Sequence, residues 1–233
     1  VRVDGLHLRS DDSELRGAAR VPGHDGGQYD VTIDASRLAA KEMQRILRAA
    51  APATDLAATV HLRGPAEWAA VAATVTSDAG TVALTGHVGQ GDLPSYDVRA
   101  TLTGVNVAGF LGPAGPTTVL TGTVEAKGTG IPPAEAAATA SVMLHDSMLG
   151  DRTLLRVTAN GELAAQRVTF TASAALATGE IDANGTIGIA DERYDLRLTA
   201  RQLDPAPLLG RPDVHARLNA TVAVAGTGFR PAT

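Results

Sequence analysis

The chain predicts an all-β protein: an elongated, mostly antiparallel curved sheet built from repeats, whose apolar side forms a groove. Three observations lead there. A strand-like segment, YDVRATLTG at residues 96–104, returns as YDLRLTARQ at 194–202. Within these segments apolar and polar residues alternate with the period of two that marks a half-buried strand. The apolar residues are mostly Ala, Val and Leu, with aromatics at 3% of the chain, so large rings to fill a sandwich centre are scarce.

The repeat organises the elements. Aligning Tyr96 with Tyr194 also pairs Asp97 with Asp195, Leu111-Gly112 with Leu209-Gly210, and Gly128-Thr129-Gly130 with Gly226-Thr227-Gly228. A third copy starts at Tyr29-Asp30-Val31 and reaches LAATVHLRG, residues 56–64, after a short insertion. Approximate units are 1–64, 65–130 and 131–228. Further strands are expected near Val1–Leu8, Leu15–Val21, Trp68–Thr76, Thr81–Val88, Ala137–Leu144, Thr153–Leu163, Val168–Leu176 and Glu180–Ile189. Asp78-Ala79-Gly80 and Asn160-Gly161 read as turns between strands. About 13 to 15 strands result, spanning on the order of 65 Å if they form one sheet. SRLAAKEMQRILRAAAP, residues 36–52, predicts one short helix near 38–50, with Ser36 as its cap and Pro52 as its stop. In the other copies this place holds VNVAGFLGPAG and LDPAPLLGRPD, too rich in Gly and Pro for a long helix.

Alternation alone fits two architectures. Two sheets stacked apolar to apolar would make a β-sandwich. One long curved sheet would leave its apolar face as a groove. Tandem units favour growth along an axis, and glycines on the apolar register (Gly17, Gly86, Gly122, Gly185) permit bending and close approach. An uncovered face of that length would be an aggregation hazard unless an apolar ligand occupied it.

Composition narrows the partners. The net charge is −5, the pI is about 5.6, and basic residues form no run, which argues against nucleic acid. Without Cys there is no disulfide or thiolate metal site. At 44% hydrophobic residues the chain is not a disordered one. It begins at Val1, and the expectation is a piece of a longer protein.

The order of a Tyr-Asp-aliphatic strand, a short Leu-Leu turn and a strand closing in Gly-x-Gly and Pro resembles the AsmA-like/TamB group of Gram-negative envelope proteins. The pieces that carry it are YDVRATLTGVNVAGFLG with LTGTVEAKGTGIPP, and YDLRLTARQLDPAPLLG with LNATVAVAGTGFRP. The resemblance implies a lipid-binding β-groove segment of a protein that is anchored in the inner membrane and crosses the periplasm. Such a protein carries phospholipid acyl chains between the two membranes and supports outer-membrane homeostasis. It also implies contact with outer-membrane assembly machinery, and as a second reading a role in translocating or assembling outer-membrane β-barrel or autotransporter proteins. A structural cell-surface repeat is a third reading. No enzyme activity, cofactor or metal is implied. The lipid-lining positions on this reading are Val31, Ile33, Val60, Leu62, Val82, Leu84, Val98, Ala100, Leu102 and Leu120 in the first half. In the second half they are Val124, Val157, Val168, Phe170, Ile187, Leu196, Leu198, Leu218, Val222 and Val224.

Other chemistry-bearing residues have plainer readings. His7, His24, His61, His87, His145 and His215 are scattered, and His61 and His87 fall on the polar register. Asp11-Asp12 with Glu14 suits a solvated turn better than a cation site. His145-Asp146-Ser147 has triad residue types, but adjacency in sequence is the wrong geometry. The two Gly-Thr-Gly stretches lack the strand–turn–helix context of a nucleotide site. The three tyrosines at strand starts read as sheet-packing residues with the hydroxyl at water. The helix near 38–50 reads as cover for one rim of the sheet.

Overall fold

The computed structural model describes residues 2–21, 27–47, 52–112, 115–204, 206 and 216–228. Fourteen strands form one sheet whose spatial order is the chain order throughout. The first unit holds β1 (Arg2–Arg9), β2 (Glu14–Arg20), β3 (Gln28–Leu38), α1 (Ala40–Leu47) and β4 (Leu56–Pro65). The second holds β5 (Ala69–Ser77), β6 (Gly80–Gly89), β7 (Ser95–Val105), α2 (Val107–Leu111) and β8 (Thr118–Thr129). A hairpin of β9 (Ala137–Leu149) and β10 (Arg152–Ala164) comes next. The third set is β11 (Arg167–Leu176), β12 (Gly179–Gly188), β13 (Arg193–Leu203) and β14 (Leu218–Thr227). Every neighbouring pair is antiparallel, as short connections require.

The sheet is open and single-layered among the described residues. Strands contact their sequence neighbours, and no described strand or helix stacks across either face. The accessible surface is 14619 Å², against about 9,900 Å² for a compact protein of 23.8 kDa. The sandwich is therefore excluded. Buried apolar residues sit at strand ends and connections: Ala35, Ala39, Ala69, Ala79, Val105 and Leu203 are among them.

The repeated Tyr-Asp pair has a structural meaning. Each tyrosine lies opposite a glycine of the next strand: Tyr29 with Gly64, Tyr96 with Gly128, Tyr194 with Gly226. A Cβ on Gly128 would come 2.8 Å from the Tyr96 hydroxyl, and one on Gly226 2.6 Å from that of Tyr194. In these two copies the tyrosine lies over backbone that only glycine leaves bare, whereas a Cβ on Gly64 would meet Ala69 and Trp68 instead. The aspartate lies opposite a cation where one is present, Asp30 beside Arg63 and Asp97 beside Lys127. The third copy has Ala225 there and no such pair. The second and third return strands then stop where Gly130 (φ +73°) and Gly228 (φ +84°) donate to the carbonyls of Pro94 and Glu192. The two Gly-Thr-Gly stretches are thus strand terminators.

Each Tyr-Asp strand ends in a register shift at the same place. The breaks fall between Ala35 and Leu38, Leu102 and Val105, and Ala200 and Leu203. An extra residue there turns the strand and tucks Val105 and Leu203 inward, at 6% and 5% exposure.

Three expectations are corrected. The helix does not begin at Ser36: β3 continues to Leu38, and α1 covers Ala40–Leu47. Its cap comes from elsewhere in the chain. Asp55 Oδ1 accepts from the Ala40 amide at 2.9 Å, and Ser13 Oγ accepts from the Ala39 amide at 2.9 Å. Ser36 instead faces Glu14 at 3.4 Å. Residues 48–51, and with them the expected end of this helix, lie outside the described residues. There is also a second helix, the five-residue α2, capped by Asn106, whose side chain accepts from the Ala108 amide. Asn160-Gly161 is not a turn. It lies inside β10, with Asn160 opposite Ser141 and Thr171. Alternation in β10 runs unbroken through both residues, and pairing on both sides overrides the local turn preference. Asp78-Ala79-Gly80 does make the β5–β6 turn.

Candidate functional site

The sheet offers two surfaces, one apolar and one polar. Cross-strand partners in a sheet share a face, so register locates every predicted lining residue. Val31 faces Leu62 and Ile33 faces Val60. Val82, Leu84 and Gly86 face Leu102, Ala100 and Val98. Ala100 continues to Val124, and Leu120 pairs with Val105 beyond the bulge. Val157 faces Leu144, while Phe170 and Val168 face Gly185 and Ile187. Leu196 and Leu198 face Val224 and Val222, and Leu218 faces Leu203. The intermediate partners Val71, Ala73, Ala126, Ala140 and Val142 link these pairs into unbroken rows. All the predicted positions therefore lie on one face.

None of those positions is fully buried. Most are half-covered by their neighbours in the same row. Toward the β14 edge they open further, with Val222 at 51% exposure and Leu198 at 42%. A closed core would bury them; this face is available to something else.

The polar face carries a cavity of about 870 Å³, a trough across β6 to β11. Its floor is the backbone of Gly86, Val98, Ala126, Ala140 and Gly161, whose own register places their side-chain positions on the opposite, apolar face. One wall is made by His87, Asp97, Lys127 and Glu162, the other by Arg99, Glu125, Ser141 and Asn160. Lys127 Nζ is 3.1 Å from Asp97 Oδ2, and Arg99 Nε donates to Glu125 Oε1 at 2.7 Å. At one end Trp68, the single tryptophan, stacks on His87 with ring centroids 5.2 Å apart and planes 4° from parallel. The sequence reading placed Trp68 and His87 on strands but did not join them to a site. The trough is a property of rows that run across strands, and rows become visible only with register.

The remaining candidates are structural. Ser147 is fully buried. Its Oγ accepts from the Thr121 amide at 3.0 Å and lies 3.0 Å from the His145 carbonyl, closing the register break between β8 and β9. His145 Nδ1 is 3.2 Å from Asp146 Oδ2. Asp12 pairs with Lys41. Glu14 is held below the usual carboxylate range, first by its hydrogen bond to His7 and then by Arg16. His61 faces Thr32 at 3.4 Å and is separated from His87 by β5. Among the described residues no group of three His, Cys, Asp or Glu is placed to hold a metal ion. His24 and His215 lie outside the described residues. Tyr29 differs from the expected water-facing hydroxyl: it donates to Gln90 Oε1. Among the described residues no helix is long and apolar enough to cross a membrane.

No protein-family model matches the chain, and neither the curated proteins nor the solved structures provide a match.

Proposed function

We propose that this chain is a lipid-carrying segment of an envelope protein of AsmA-like/TamB type, and that its apolar face holds phospholipid acyl chains. The observation that carries the reading is the continuous apolar face of fourteen strands with no second layer over it among the described residues. Each methylene kept from water by such a face gains about 0.8 kcal/mol. The lining is mostly small and aliphatic, so it offers no strong polar anchor and lets a chain slide. On this reading the headgroups stay at the rim, and the full-length protein spans the periplasm from an inner-membrane anchor toward the outer membrane. Carrying acyl chains in this way requires no catalytic step of the chain.

A second reading, assembly of outer-membrane β-proteins by strand addition, is favoured by β14. Its sequence LNATVAVAGT has no charge and no proline, and its outer edge is unpaired among the described residues.

Native mass spectrometry of the purified chain, before and after lipid extraction, tests the first reading. Phospholipid should co-purify. Val98→Asp, Leu196→Asp and Val222→Asp should each abolish loading while the far-ultraviolet circular dichroism stays that of a β-sheet. Wholesale unfolding of all three variants would mean that these positions form a closed core, and the lipid reading would fail.

A further inference from the structure

We propose that the polar trough is a binding site for a linear, uncharged oligosaccharide, on the face opposite the apolar one. Its length fits an extended polymer: five inter-strand steps at about 4.8 Å give about 24 Å. Its chemistry is mixed in the way hydroxyls need. Arg99 and Lys127 donate, Glu125 and Glu162 accept, and the amide of Asn160 does both. Asn160 and Glu162 are exposed, and neither forms a described side-chain hydrogen bond or ion pair. At the β6 end the Trp68–His87 stack presents an aromatic platform, with Trp68 43% exposed. A sugar ring has an apolar face for such a platform and hydroxyls at its edge for the walls, the combination that fixes a ligand's orientation.

Other polymers fit less well. Each cation is already paired with a carboxylate, Arg99 with Glu125 and Lys127 with Asp97, and Glu162 adds a further negative charge, so the trough repels a polyanion. The backbone of the floor is already engaged in the sheet ladders on both sides, so an extended peptide finds no main-chain partner there.

The experiment uses the intact chain and two defined probes, chitotetraose and cellotetraose, read by Trp68 emission and by titration calorimetry. At least one probe should shift the emission saturably. Asn160→Ala and Trp68→Ala, the latter read by calorimetry, should weaken that binding at least tenfold with unchanged circular dichroism. Glu162→Gln, a change on an exposed strand position, serves as the control should Trp68→Ala fail to fold, and should weaken binding as well. Leu198→Asp, on the opposite face, should bind sugar normally even where it loses lipid, which separates failure of this site from failure of the lipid reading. Absence of heat and emission change at millimolar sugar overturns the proposal. So does binding untouched by Asn160→Ala and Glu162→Gln, or a polar peptide that binds the trough where both sugars do not.

Discussion

At the residue scale the glycines divide into two kinds, and the division is testable. Gly122 lies on the apolar register of β8 with φ +153°, and a Cβ there would meet the Met143 carbonyl oxygen at 2.0 Å. That obstacle is backbone, so it cannot rotate away. Gly161, in the middle of β10, would place a Cβ at an ordinary 3.8 Å from the Thr169 carbonyl oxygen. Gly122→Ala should therefore destabilise the chain by about 2 kcal/mol or more, from the strained conformation and the forced strand separation. Gly161→Ala should be neutral or stabilising by up to about 1 kcal/mol, because it restricts the unfolded chain at no native cost. Urea titration of both variants measures the difference. Equal losses would mean that the β8–β9 approach is not the constraint. The sequence marked Gly122 and Gly17 alike as bending points, yet a Cβ on Gly17 would sit at 3.1 Å from the Thr32 carbonyl oxygen with no left-handed φ to support. Position on a face was legible from alternation; closeness of the neighbouring backbone was not.

At the element scale the junction of β3 and α1 shows why the expected helix start failed. Ser36 has the right residue type for a cap, but the bulge at Ser36 and Arg37 keeps the strand going and hands the capping role to Asp55, fifteen residues beyond the Ala40 amide it accepts. Local signals read neighbours along the chain, and this cap arrives from the next strand's approach. Asp55 also receives Arg37, whose Nη2 lies 2.8 Å away. The Ala40 amide first, and then Arg37, hold its carboxyl below the usual aspartate range. The sign follows from linkage: the folded state binds this proton less readily than the unfolded one, so its contribution is present above the ordinary aspartate range and lost as pH falls through the lowered value. Arg37, Lys41, Asp12 and Glu42 share this corner, and Glu42 is lowered too, by hydrogen bonds from Ser10 and Ser13. In an acid titration followed by nuclear magnetic resonance, the Ala40 amide should shift with a low midpoint in the native protein. In Asp55→Asn, which keeps an oxygen for the cap, that transition should vanish while the one reporting Glu42 persists. An unchanged Ala40 titration in the variant would assign the shift to another group.

At the scale of the molecule, strand count, order and the single apolar face were readable because they follow from a period of two and from tandem repetition, which any sheet of this kind must obey. The polar trough was not, since it is assembled from residues on six strands whose relative register depends on the shifts between Leu102 and Val105, Val119 and Gly122, and Leu154 and Arg156. The same linear order governs stability. Among the described residues each inner strand is supported by its two neighbours, each edge strand by one, and none by a layer above, so folding energy is a sum of nearest-neighbour terms. Opening should then start at the ends, where β1 is exposed along its whole length and β14 along most of it, and progress inward. Native-state hydrogen exchange resolved by peptide should give the highest protection in β7 to β10 and a graded decline toward both edges. A ligand spread along the apolar face would couple these steps, because it binds many strands at once and stabilises the folded state by mass action. Lipid-loaded protein should show a flatter gradient and a higher melting temperature than extracted protein. One uniform exchange rate in the extracted protein would show that distant strands are coupled without any ligand, and that the sheet does not behave as a chain of neighbours.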